Sequence, residues 1–347
     1  MPRWPGVAEE VTIMKAVVLV GGFGTRLRPL TLTAPKQMLP VVDRTMLEHV
    51  VGGLGRHGVT EVVLSLGYKE DVFRDAFPDG ECAGVALRYA VEPEPLDTAG
   101  AVRFAAEAAG IDETFIAVNG DVFTDLDVSA LWARHHEVGA EGTISLTPVD
   151  DPSRYGVVPT DPDGKVIGFV EKPARDQAPT NWINAGTYVL EPSVLERIEP
   201  ARKVSIERET FPAIVADDGL WAVQSDAYWV DAGTPATYLQ VQLDLIDGVR
   251  GATWPAVADS VTIAAGASVE HSVVMAGATI DTGAAVCDSV ISAGAKVGAG
   301  AVIERSVVGP GATIHSGAQL RNLTMVGDGA VVESGAELDG ARVPDAD

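Results

Sequence analysis

The chain holds only two cysteines, Cys82 and Cys287, among its 347 residues. Two are too few for a disulfide framework or a cysteine-bound zinc cluster, and they fit a reducing cytoplasm. Basic residues are also scarce: 25 Lys and Arg stand against 49 Asp and Glu, a formal net charge of −24. A nucleic-acid binder needs an extended basic face to displace counterions, so that class is disfavoured. No apolar run reaches the length of a membrane span. The first 13 residues, MPRWPGVAEEVTI, lack the apolar core of a signal peptide. Met14 then opens MKAVVLVGG and reads as the natural start, with 1–13 an extension. The length allows two domains and a sizeable core.

What is present divides into two patterns. KAVVLV (15–20), EVVLSL (61–66), VALRYAVE (85–92) and FIAVNGD (115–121) are short apolar runs that read as buried strands. Helical stripes lie between them, over 46–57 and over the alanine-rich 98–110, which ends on Gly110. Strands alternating with helices imply an α/β, Rossmann-like layer with a mostly parallel sheet. GVVPTDPDGKVIGFVEKP (156–173) reads as a hairpin turning at Asp161 to Gly164, one wall of a cleft.

The second pattern begins at Ile263. Segments starting at Ile263, Ile280, Val297 and Ile314 follow one another at 17 residues. Within them aliphatic residues recur at steps of six, five and six, as in Ile263, Val269, Val274 and Ile280. Three short strands per turn, one aliphatic pointing inward from each face, is the hexapeptide signature of a left-handed parallel β-helix of about five coils. The expected division is 14–248 for the α/β domain, 249–256 for a linker and 257–347 for the β-helix. Its flat faces suggest a homo-oligomer. His271 and His315 on the coils raise the alternative of an acyl-transfer base, which the absence of a long looped insertion disfavours.

An acidic chain nonetheless gathers Arg26, Arg28 and Lys36 around a glycine turn in LVGGFGTRLRPLTLTAPKQMLP (19–40). Backbone N–H groups of such a turn can surround phosphate oxygens. The stretch is neither a Walker A loop, since no Gly-Lys-Ser/Thr follows, nor a dinucleotide fingerprint, since the third glycine is missing.

GGFGTRLRPLT…PKQMLP closely resembles the signature of the sugar-phosphate nucleotidyltransferases. EPLDTAGAV, NGDV, YGVV, FVEKP, INAGTYVL and YWVDAGTP resemble that family's later motifs, in its order. The resemblance implies transfer of a nucleotidyl group from an NTP to a sugar 1-phosphate, with release of pyrophosphate. Arg26 would face the triphosphate, and Lys36 the α-phosphate and the attacking phosphate. Asp121 and Asp231 would hold Mg²⁺, a hard cation suited to oxygen ligands. Leu19, Gly21, Gly22, Gly24, Thr25, Glu92 and Gly100 would contact the nucleotide; Gly156, Glu171, Lys172 and Asn184 the sugar phosphate. Glu92 accepts only, which suits guanine N1–H and N2–H₂ and favours GTP with mannose 1-phosphate. UTP or dTTP with glucose 1-phosphate is the alternative, and a non-catalytic nucleotide-sugar sensor is the rival of another class. Asp97 stands where the family pattern has glycine, which touches the nucleotide pocket. Neither nucleic acid nor membrane is an expected partner.

Overall fold

The structure is a computed structural model and describes residues 14–67 and 69–345; the extension expected over 1–13 lies outside them. Four strands make the parallel centre of the main sheet, in spatial order Val85–Val91, Val59–Leu66, Met14–Leu19 and Phe115–Asn119. The chain therefore runs to one side of the first strand and then to the other. The loop leaving Leu19 sits at that switch point, outside the carboxyl ends of the strands, where α/β sheets leave a crevice. Trp182–Leu190 joins antiparallel to Phe115–Asn119 and carries Gly142–Pro148 on its other edge.

The helices follow local sequence. Met46–Arg56 starts from a capping box in which Thr45 and Glu48 satisfy each other's backbone N–H groups. Asp97–Ala109 ends on Gly110 in the left-handed region. The hairpin expected after Gly156 is present: Gly156 and Val157 pair with Glu171 and Val170, and Gly164 N–H closes its turn onto Asp161 O. Among the described residues no helix is long and apolar enough to cross a membrane.

From Thr262 the chain winds five coils whose strands stack into three parallel five-stranded sheets. The register runs Ile263↔Ile280↔Val297↔Ile314, then Ile314↔Val332, so the last coil departs from the period of 17 by one residue. The addition falls at Leu323, which extends the corner at Asn322 and packs against the core where the α/β domain meets the coils. One inward aliphatic per face holds, but the third face carries a second, outward row. Val274, Ile291, Val308 and Val326 fill the coil, while Val273, Val290, Val307 and Met325 point the other way. They share a core with Leu27, Leu30, Leu39 and the helix Pro235–Ile246. The two halves are thus joined by a common apolar interior, and one β-helix face is covered by its own chain.

The helix Pro235–Ile246 also holds a strained corner. Val42 is β-branched yet adopts φ 56°, a conformation such residues avoid. Buried Gln242 accepts from Val42 N–H at 2.8 Å and donates to Pro40 O at 2.9 Å. Gln242→Leu keeps the volume and orphans the buried Val42 N–H, while Pro40 O keeps the Tyr238 hydroxyl. It is expected to lower the unfolding free energy by about 1–3 kcal/mol in urea titration; an unchanged midpoint would show that the corner does not need the amide.

Candidate active site

The glycine loop is shaped by backbone close approach and by three 3₁₀ turns, Thr25–Leu27, Leu30–Leu32 and Lys36–Met38. Gly67 lies against Gly21, where a Cβ on Gly67 would sit 2.9 Å from Gly21 O. Gly24 takes φ 60° and precedes the turn Thr25–Leu27; Thr31 Oγ1 donates to Gly24 O at 2.8 Å. Leu27 and Leu30 bury and anchor the loop, leaving Thr25 and Arg26 exposed on its outer side. The last of these turns, Lys36–Met38, sends Lys36 back over Gly22, whose Cα would carry a Cβ 3.8 Å from Nζ.

Asp121 and Asp231, far apart in sequence, meet here. The strand Phe115–Asn119 ends, Gly120 N–H bonds Leu19 O, and Asp121 leads into Val122–Thr124. That short strand pairs antiparallel with Trp229–Asp231, placing Asp231 opposite Val122, and Ala232 N–H donates to Asp121 O at 3.0 Å. Lys36 Nζ forms an ion pair with Asp121. Asp231 Oδ1 accepts from Gly233 N–H at 2.8 Å. Burial, and next the negative charge of Asp121, hold the Asp231 carboxyl above its ordinary range; Gly233 N–H, Lys36 and Arg26 pull the other way. Gly233 is a residue that sequence reasoning passed over. A Cβ there would lie 2.7 Å from both Arg26 Nη2 and Asp231 Oδ1, so the glycine in DAGTP is what lets the guanidinium approach.

Beside the loop opens a pocket of about 410 Å³, lined among others by Leu19, Gly21, Gly22, Phe23, Glu92 and Asp97. Glu92 is buried rather than solvated: one carboxylate oxygen accepts from Ser65 Oγ and the other from Leu96 N–H, each at 2.9 Å. Each oxygen retains capacity for a further donor. Asp97 has φ 62°, which explains why glycine suits the position, and its Oδ1 accepts from Thr98 N–H at 2.8 Å. Gly100 lies between Thr98 and Ala101, which line the pocket. It is not among the residues lining the pocket; its missing side chain makes room for Arg202 O, 2.7 Å from where a Cβ would be.

On the other flank, a Cβ on Gly156 would strike the Phe169 ring at 2.7 Å and stand 3.1 Å from Glu171 Oε2. Glu171 pairs with Lys172 at 3.1 Å, and the lysine extends into solvent. Asn184 serves its own strand: Nδ2 donates to Tyr188 Oη at 2.8 Å and Oδ1 accepts from Gly186 N–H at 2.9 Å, shaping an irregularity in the strand pairing. Tyr155, also unforeseen, stacks edge-on to Trp229, and burial followed by the charge of Asp231 raises its phenol pKa.

The histidine alternative does not hold at His271. Its Nδ1 meets Asp288 at 2.5 Å and its Nε2 meets Asp247 at 3.1 Å. Hydrogen bonds to Asp288 and then Asp247 raise its pKa, and the ring ties the first two coils to the end of the preceding helix. His135 is buried between Thr143 and Glu191 as a core residue.

Residues 15–248 match the family model described as nucleotidyl transferase, and residues 255–345 match the GMPPB C-terminal domain. The chain is 42% identical over 238 residues to a mannose-1-phosphate guanylyltransferase of Mycobacterium tuberculosis, covering 67% of this chain and 65% of the relative. It is 45% identical over 230 residues to a mannose-1-phosphate guanyltransferase of Aspergillus fumigatus, covering 65% and 62%. The matched segments therefore span just under two thirds of these relatives. Among solved structures, HddC from Yersinia pseudotuberculosis superposes with a TM-score of 0.58 at 31% identity, over 66% of this chain and 98% of that one. With a family model covering its whole α/β half, the chain belongs to the nucleotidyl transferase family.

Proposed function

We propose that the protein transfers a guanylyl group from GTP to mannose 1-phosphate, forming GDP-mannose and pyrophosphate. The observation that carries the reading is the meeting of Asp121 and Asp231 beside Lys36, Arg26 and a glycine-walled pocket. Guanosine chemistry is supported by the acceptor-only carboxylate of Glu92 in that pocket, by the relatives named mannose-1-phosphate guanylyltransferase, and by an HddC structure complexed with GMP-PN.

Both substrates are anions, so neutralisation and positioning carry the catalysis. The loop N–H groups of Gly21 to Thr25 cradle the triphosphate, and Arg26 faces the departing pyrophosphate. Lys36 draws the α-phosphate and the sugar phosphate together. Phosphate of the sugar attacks the α-phosphorus in line as the bond to pyrophosphate breaks. Glu171, Lys172 and the backbone at Gly156 receive the sugar phosphate; Asn184 holds the strand behind them. Leu19 and Glu92 bound the nucleotide's base end.

The donor set fits a hard divalent cation. Two carboxylates lie together, one buried and raised in pKa by its neighbour's charge, an arrangement that a cation relieves. Asp121 and Asp231 would hold Mg²⁺, which when bound neutralises phosphate charge and orients the triphosphate. The enzyme is proposed to work in the cytoplasm, where Cys82 and Cys287 stay as thiols. Homo-oligomerisation is assigned to the β-helix faces that the catalytic half leaves open.

A matrix of GTP, UTP and dTTP against mannose 1-phosphate and glucose 1-phosphate, read by pyrophosphate release, tests the substrates. GTP with mannose 1-phosphate should give the highest kcat/KM; a clear win for UTP or dTTP would reject the guanylyl assignment.

The metal pair gives a second test. Because the folded state raises the Asp231 pKa, its charged form costs stability once pH rises through that raised value; below the ordinary carboxylate range the cost vanishes. Metal-free Asp231→Asn should therefore melt above metal-free wild type at neutral pH, with the gap closing in acid. Mg²⁺ should raise the Tm of wild type and not of the variant. Asp121→Asn should lose on the order of 10²–10³ in kcat. Equal melting of Asp231→Asn and wild type across pH, or near-normal turnover by Asp121→Asn, would remove that residue from the metal site.

A further inference from the structure

The outward row on the third face of the β-helix reads Val273, Val290, Val307, Met325 and then Arg342. Four aliphatic residues of this column bury into the core shared with the catalytic half. The fifth place, in register with Met325, breaks the pattern with a guanidinium. Apolar packing alone would not select an arginine there. Its half-buried side chain has a specific destination: Nη1 donates to Arg28 O at 2.6 Å, and Nη2 reaches Arg26 O more loosely at 3.4 Å.

Those two carbonyls belong to the exit of the 3₁₀ turn Thr25–Leu27. Within the turn, Leu27 N–H bonds Gly24 O and Arg28 N–H bonds Thr25 O. The carbonyls at the end of a helical turn need an outside donor, and arginine supplies two in a fixed fork. The same coils approach the loop closely nearby. A Cβ on Gly309 would lie 3.0 Å from Leu30, and one on Gly327 3.0 Å from Pro29. The segment that carries Arg26 is thus gripped by the last coils, through apolar contact along the column and polar contact at its end.

We propose, on the nucleotidyl-transfer reading of Arg26, that Arg342 is a positioning residue of the transfer site: the last coil of the β-helix fixes the turn that aims the Arg26 guanidinium at the triphosphate. Arg342 touches neither substrate. Its effect passes through the Arg26 and Arg28 carbonyls and falls on the nucleotide side of the site, away from Glu171 and Lys172. The β-helix is in this sense part of the catalytic apparatus as well as a scaffold.

The variant that separates positioning from folding is Arg342→Met, which continues the column as Met325 does. It is measured in the full-length chain beside Arg342→Lys, which keeps the charge but not the fork. Three readouts are taken: Tm, steady-state kinetics with GTP and mannose 1-phosphate, and amide hydrogen exchange at Leu27 and Arg28. The Met variant should melt at or above the wild-type temperature. Its kcat/KM for GTP should fall by about ten- to a hundredfold, as misplacement of a catalytic group far from the mutation does. KM for mannose 1-phosphate should stay unchanged, the Lys variant should recover part of the loss, and the Leu27 and Arg28 amides should exchange faster. The proposal is overturned if the Met variant turns over like wild type, or if its loss follows a matching fall in Tm and is shared by both substrates. Should wild type itself release no pyrophosphate, the functional reading is what fails; unchanged exchange at Leu27 and Arg28 would then independently overturn the role of Arg342.

Discussion

Two carboxylates that repel each other are held side by side, and the site is organised around that fact. The two-stranded ribbon of Val122–Thr124 and Trp229–Asp231 forces Asp121 and Asp231 together. The Asp121 backbone is tied through its carbonyl to Ala232 N–H, its carboxylate pairs with Lys36, and Asp231 Oδ1 is held by Gly233 N–H. Burial, and next the charge of Asp121, keep the Asp231 carboxyl above its usual range, against the pull of the Gly233 N–H, Lys36 and Arg26. A pair of like charges kept near one another in a buried place favours a cation, and a cation beside a phosphate-sized loop favours a triphosphate. On the proposed function, a bound cation would offset this cost, so that a site costly to the empty protein serves the loaded one.

The β-helix enters this picture as a wall and not as an appendage. Leu27 and Leu30 of the glycine loop have their burial completed by Val273, Val290, Val307 and Met325. A loop rich in glycine and proline has little local structure of its own. Its order comes from what it packs against, here a rigid face whose strands are paired coil to coil. The extra residue at Leu323 fits the same account: it enlarges a corner on the side that meets the catalytic half and fills part of the joint.

Much of the fold is legible in the residues because it is repetitive. The spacing of Ile263, Ile280, Val297 and Ile314 specifies three faces and their register before any coordinates are seen. The doubled aliphatics Val273-Val274, Val290-Ile291 and Val307-Val308 are equally visible, yet periodicity cannot say whether the outward residue, the first of each pair, meets solvent or another domain. One of the site's main features was legible only as motif resemblance. The union of Asp121 with Asp231 depends on a ribbon three residues long, too short to leave a pattern. Glycines gave mixed guidance, since chain geometry decides what each is for: Gly233 admits Arg26, whereas Gly100 admits the Arg202 carbonyl. Asp97 shows the converse, a non-glycine carrying the left-handed backbone because an aspartate tolerates it.

The most direct test of the central claim is where a divalent ion comes to rest. Anomalous diffraction from crystals grown with Mn²⁺ and a non-hydrolysable GTP analogue would locate it without ambiguity. The account predicts one strong peak bridged by the carboxylates of Asp121 and Asp231 and by phosphate oxygens. A peak held by neither carboxylate, or bound nucleotide with no ion between them, would contradict it.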